Sequence, residues 1–326
     1  MSGVSAYAAA PFDHAKADII LRSSDNVDFR VFKLFLSLAS PFFETLFNIP
    51  QPAQAGDDQE IKDGLVVVPV TEDSKTLNAL LRFCYPCTLA DDPTFDVLED
   101  VLNVLQSARK YSLDVIEKKA AHAFSNPKIL TAEPLRCFAL ARSRRMPEET
   151  LLAAKYTLTQ PFLPSWFKEI NLITAADLLA LLTYHRECGD AVYTLSADIS
   201  WIKAHYRTSR GCVWFSGRYA TDTRPTNSLF GNITQHRDCL CPRSPKPKYK
   251  VFEGSSLQWW EDFMEETFVS LREKPCGETV ASQAAKTVES VRGRNCPTCS
   301  ARITKGMRDF SDLLTKMVEV VVSQVS

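Results

Sequence analysis

No apolar run in this 326-residue sequence approaches the roughly 18 residues needed to cross a bilayer. Its opening, MSGVSAYAAAPFD, has neither the positive segment nor the apolar core of an export signal. An intracellular protein with no membrane partner is expected, cytoplasm and nucleus being left open. Ten cysteines are too sparse for a disulfide scaffold, so they read as reduced thiols, some of them metal ligands. Catalytic signatures are missing too: there is no G-x-S-x-G, P-loop, G-x-G-x-x-G or H-E-x-x-H. The five histidines (His14, His122, His185, His205, His236) lie far apart, and none adjoins a nucleophile. A repeat of fixed period is lacking, which excludes propellers and zinc-finger arrays. Enzymatic activity is therefore not expected, and no catalytic residue is assigned.

What is present is globular in character. Hydrophobic residues make up 45% and charged residues 24%, and the net charge is −1. That balance excludes a disordered tail, a collagen and a coiled-coil rod, and the length allows two or three domains. The neutrality hides an asymmetry. Residues 201–250 hold ten Lys/Arg against two Asp/Glu, a net +8 that leaves −9 for the rest.

The pattern begins with a short apolar run at 18–22 and an alternating one at Val27, Phe29 and Val31, a hairpin across the turn residues 23–26. Helical spacing follows over 33–39. Ser40-Pro41 then restarts a helix, Ser as N-cap and Pro at the first position, with Phe42, Phe43, Leu46 and Phe47 as its apolar face. After an acidic loop at 50–63, residues 65–70 read as a strand that Pro69 assigns to a sheet edge. Leu77, Leu80, Leu81 and Cys84 share a helix face. Asp92-Pro93 is the expected cap of a long helix through Ala108, and Ser112 of another ending near Phe124. This is a small α+β domain, a small sheet with packed helices.

Four segments in this order resemble the BTB/POZ domain: the opening Asp18, F-x-V-x-K at 29–33, L-x-x-x-S-P-F-F at 36–43 and A-x-K-Y at 108–111. The resemblance covers residues 16–125, after a flexible 1–15, and is similar in style to fungal proteins with one N-terminal BTB domain. The family's histidine before the lysine is Phe32 here. The resemblance implies a protein-interaction module that binds itself or another BTB protein. It also implies a groove near a dimer interface formed by Asp18, Lys33, Phe42 and Phe43, with Asp18 and Lys33 as a charged pair. A strand-to-helix brace within one subunit is the alternative role for that pair. As many relatives do, the chain could instead serve as a substrate adaptor of a cullin-type ubiquitin ligase. CYPCTLADD after the third helix does not show the hydrophobic-x-acidic motif that this role needs.

Residues 126–206 read as a helical extension: Pro134 and Pro147 open helices, and Thr174 with Asp177 forms a capping box. Residues 207–326 read as a turn-rich C-terminal module with helical patterns around 259–271 and 307–322. Within it Cys296 and Cys299 make a C-x2-C pair, and Cys239 and Cys241 a C-x-C pair. Together they would hold one structural Zn²⁺, with free thiols as the alternative. Cys84-x-x-Cys87 reads as helix-end packing. The basic 201–250 stretch carries Trp201, Tyr206, Trp214, Phe215, Tyr219, Phe230 and Tyr249, which could stack bases in a nuclear, nucleic-acid-associated factor. Without a recognised binding motif it reads as a solvated face over core aromatics. An oligomerising scaffold is the leading functional expectation.

Overall fold

The computed structural model describes residues 6–48, 60–161, 165–206, 241–249, 251, 256–294 and 296–325. It divides into two compact units, 1–153 and 154–326. The segment expected as one helical extension is therefore shared between them.

Unit 1 is built on a small sheet of β1 (Ala6–Tyr7), β2 (Ile19–Arg22), β3 (Val27–Val31), β4 (Ile61–Lys62) and β5 (Leu65–Pro69), in the spatial order β1-β3-β2-β5-β4. The expected hairpin is β2–β3, antiparallel with Arg22 opposite Asp28. Asn26 takes the left-handed φ of 61° that closes its turn. Contrary to expectation, β5 is not an edge, because it lies parallel to β2 with β4 on its other side. Pro69 is tolerated as its last residue, opposite Arg22, whose carbonyl accepts instead from the Val70 amide at 2.8 Å.

Between β3 and β4 stand α1 (Lys33–Ala39) and α2 (Pro41–Asn48), with Ser40 at their junction. After the sheet come α3 (Ser74–Cys84), α4 (Leu98–Lys110), α5 (Asp114–Ala121), a 3₁₀ turn (His122–Ser125), α6 (Pro127–Ala132), α7 (Pro134–Ser143) and α8 (Pro147–Thr157), which runs across the division. Two caps fall elsewhere than expected. α4 starts at Leu98 rather than after Asp92-Pro93, because Phe95 is buried as a plug whose carbonyl accepts from Asn126 Nδ2 at 2.6 Å. Ser112 has φ +52°, so the N-cap of α5 is Leu113.

Unit 2 contains a 3₁₀ turn (Lys168–Leu172), α9 (Ala175–Thr194), α10 (Ser200–Tyr206), α11 (Gln258–Glu273), α12 (Gly277–Gly293) and α13 (Pro297–Gln324). Thr174 and Asp177 form the expected capping box: Thr174 Oγ1 accepts from the Asp177 amide at 3.1 Å, and Asp177 returns the bond to the Thr174 amide at 3.0 Å. One core joins both halves of this unit, from Val192, Trp201 and Ile202 to Trp260, Phe263, Phe310 and Leu314. The boundary expected at 206 thus does not separate two cores. Of the C-terminal module expected at 207–326, the described part is mostly helix, and 207–240 lie outside the described residues. α9 and α11 touch closely: a Cβ on Gly189 would meet the Arg272 carbonyl oxygen at 2.3 Å.

Candidate functional site

The motifs that carried the resemblance meet at one junction in unit 1. Ser40, fully buried, accepts from the Phe43 amide at 3.2 Å, the expected N-cap bond, and donates to the Tyr111 carbonyl at 2.5 Å. The Tyr111 ring stacks on Phe43 at 4.9 Å and tilts against Phe42 at 5.4 Å. Its hydroxyl donates to Glu72 at 2.5 Å, and Lys110 Nζ bonds the other Glu72 oxygen at 2.9 Å. S-P-F-F and A-x-K-Y are therefore two sides of one brace between α2 and α4. Burial alone would raise the Glu72 carboxyl, but the Tyr111 and Lys110 bonds outweigh it and hold the group below its ordinary value. Burial, and then the bond to Glu72, pushes the Tyr111 hydroxyl up.

Asp18 and Lys33 do not form the expected ion pair. Asp18 Oδ1 accepts from the backbone amide of Lys33 at 2.8 Å, satisfying a first-turn donor of α1 that Phe32, the N-cap residue, leaves uncapped. The Lys33 ammonium lies 5.9 Å from the centre of the Phe47 ring. Phe32, in place of the family histidine, packs edge-on against Phe35 at 5.5 Å and beside His14 at 5.4 Å.

The most deeply buried carboxylate among the described residues of this domain is a different residue, Asp28, which the alternation of β3 had pointed away from the core. Its side chain is completely inaccessible, with Arg22 Nε at 2.6 Å and Lys62 Nζ at 2.6 Å. Arg22 also reaches Glu60 at 2.6 Å. The Asp28 bond, and then the Glu60 bond, hold the guanidinium proton more tightly than usual. The hairpin register carried the signal, since Arg22 and Asp28 stand directly opposite each other.

Six phenylalanines lie within 29–47, and most find partners. Phe29 and Phe43 are buried, while Phe32, Phe35 and Phe47 are half-covered in ring contacts. The exposed apolar surface belongs instead to Leu34 (62% exposed) and Leu38 (78%), one turn apart on α1, with Phe42 (41%) at the start of α2.

In unit 2 the cysteine expectation falls partly on described residues. Cys241, Cys296 and Cys299 converge, with all three Sγ atoms within 4.8 Å of one another and Cys241–Cys299 at 3.6 Å. Cys239 lies outside the described residues, as does His236. Cys84 is half-buried, its thiol pushed up to about 12 by burial, whereas Cys87 is exposed and not the packing residue expected. Of the basic stretch, 207–240 and 250 lie outside the described residues. Among its described aromatics Trp201, Tyr206 and Tyr249 are buried core side chains, which removes them as stacking platforms.

Residues 11–128 match the family model of the BTB/POZ domain. No curated protein matches the chain. The BTB/POZ domain is a non-enzymatic module of protein–protein interaction and oligomerisation. Among the described residues no helix is long and apolar enough to cross a membrane.

Proposed function

We propose that this BTB/POZ-domain protein is a scaffold that pairs with a second copy of itself through α1 and the start of α2. The observation that carries the reading is the exposure of Leu34 and Leu38 on one helical face beside Phe42. In a twofold interface each exposed group is used twice. Their exposed fractions amount to nearly two whole side chains per subunit, so a dimer gains roughly 6–12 kcal/mol at about 1.5–3 kcal/mol for each. An association cost of about 4–15 kcal/mol stands against that gain, so the patch is suited to the centre of an interface whose rim adds the remainder. Asp18 and Lys33 fit this groove as positioning residues: Asp18 fixes the first turn of α1, and the Lys33 ammonium lies over the Phe47 ring.

Sedimentation velocity of the full chain over a micromolar concentration series tests the reading. The expected result is a dimer that Leu34→Glu/Leu38→Glu converts to monomer with unchanged circular dichroism. A wild-type monomer throughout the series, or a double variant that stays dimeric, rejects it. A cullin pull-down separates the adaptor reading, and salt-dependent DNA binding by the full chain separates the nucleic-acid reading.

A further inference from the structure

We infer that Cys241, Cys296 and Cys299 bind one Zn²⁺ that fastens the segment around 241–249 to the first turn of α13. Among the described residues this is the one group of three or more side chains placed to share a metal ion. Cys137, Cys188 and Cys276, by contrast, belong to no such group.

Sulfur spacing distinguishes a metal site from other uses of cysteine. Four thiolates at about 2.3 Å from a tetrahedral zinc stand roughly 3.8 Å from one another. A disulfide would bring two sulfurs to about 2.05 Å. Cys241 and Cys299 are 3.6 Å apart, and the third sulfur keeps the whole set within 4.8 Å. That spacing suits three corners of a tetrahedral site.

Local structure supports negative sulfur there. Cys296 is the N-cap of α13, a place that Ser, Thr, Asp and Asn usually fill, and it makes no side-chain cap bond. Pro297 follows at the first helical position and fixes the backbone, so that Cys299 falls one turn on. The amides of this first turn have no intrahelical acceptor, and the positive end of the helix dipole favours charge on the sulfurs. The helix is 28 residues long, and Cys296 and Cys299 are buried at its head.

Cys241 comes from a strip with little regular structure. It is tied to α11 by a short ladder, with Ser244 N donating to Ser256 O at 2.9 Å and Gln258 N to Pro242 O at 2.9 Å. The buried Glu261 carboxylate also accepts from the Lys248 amide at 2.8 Å, the Tyr249 amide at 3.1 Å and the Ser256 hydroxyl. A metal at Cys241 would close the other end of this strip against α13. Three thiolates leave one corner of the tetrahedron for a further ligand such as water.

The test uses the full chain, expressed with added zinc and purified under reducing conditions without chelator. Elemental analysis should find about one Zn²⁺ per chain. Replacing it with Co²⁺ should produce the thiolate-to-metal charge-transfer band and intense visible bands of a tetrahedral thiolate site. Cys296→Ser and Cys299→Ser should each lower zinc content severalfold, while Cys84→Ser/Cys87→Ser leaves it unchanged. The zinc and cobalt measurements on the wild-type chain stand even if the serine variants fail to fold. Zinc below about a tenth of an equivalent with no cobalt band would overturn the inference. So would a Cys241–Cys299 disulfide, found by alkylation and mass spectrometry, in the chain purified under those same reducing conditions.

Discussion

Replacing Asp28 with Asn asks how much the domain depends on a charge that no water touches. The substitution keeps the shape and removes the negative charge between Arg22 and Lys62, each 2.6 Å away. At about 4 Å and an effective dielectric near 20, one unit pair is worth roughly 4 kcal/mol. Arg22 keeps Glu60, and both cations retain some contact with water, so two full pairs would overstate the loss. Removing one partner of a buried pair costs about 3–5 kcal/mol, because the other is left desolvated. That is the expected destabilisation of unit 1, a large share of the roughly 5–15 kcal/mol that a domain possesses. With a urea slope near 2 kcal/mol per molar, the midpoint should fall by about 2 M. The sequence supplies a way to read the units separately. All five tryptophans lie at or beyond position 166, so indole fluorescence follows unit 2, and a loss of far-ultraviolet circular dichroism that the indole signal does not share reports unit 1. Lys62→Met alone should cost no more than about 1 kcal/mol, its ammonium being partly hydrated. An Asp28→Asn loss below about 1 kcal/mol would refute the reasoning, since the buried carboxylate would then contribute no more than a surface pair.

Asp18→Ala should cost unit 1 about 1 kcal/mol through the lost cap on the Lys33 amide. Combined with Lys33→Ala it should prove additive in a double-mutant cycle, whereas strong coupling would mean a side-chain ion pair. Glu72 is held below its ordinary 4.5, so its contribution is complete above that pH and is lost as pH falls through the lower folded value. Glu72→Gln should accordingly flatten the acid limb of the stability curve of unit 1. Burial holds His185 below its ordinary 6.5, so the unfolded chain takes up the proton first and unit 2 loses stability as pH falls below 6.5. In His185→Leu that slope should disappear, as read by indole fluorescence in urea at a series of pH values. Gly189→Ala should destabilise unit 2 by about 1–3 kcal/mol in the same assay, because the new methyl group collides with the Arg272 carbonyl, although alanine is the better helix former.

Periodicity made the hairpin, α1, α2, α3 and the capping box of α9 legible, because there local preference and burial agree. It failed where a distant residue decides. Nothing in Asp92-Pro93 reveals that Phe95 is taken up as a plug by Asn126, thirty-one residues on. Pro69 argued for an edge strand on its missing donor alone, and the two-residue β4 that covers β5 is too short to read. α12 escaped notice because its buried positions are Val280, Ala284 and Val291, set among Ser, Thr and Gln that weaken the stripe. At the site, Asp18 and Lys33 are the right neighbours joined through a different atom: the carboxylate meets an amide, which sequence spacing cannot separate from an ammonium. Cys296 and Cys299 were legible as a pair, since C-x2-C at a helix start is a local constraint, whereas Cys241 meets them from 58 residues before Cys299, a contact that spacing does not reveal.

The core of unit 2 draws Val192 to Tyr206 from one side of residues 207–240 and Tyr249 to Val318 from the other. Gly189 brings α9 against α11 at backbone contact, and Trp201 meets the Phe310 ring at 5.8 Å. Covalent continuity between position 206 and position 241 therefore keeps the two parts of this core at high effective concentration while they find each other. A chain severed there would behave as a complementing pair of fragments, with the association constant of the pieces measuring the strength of that core.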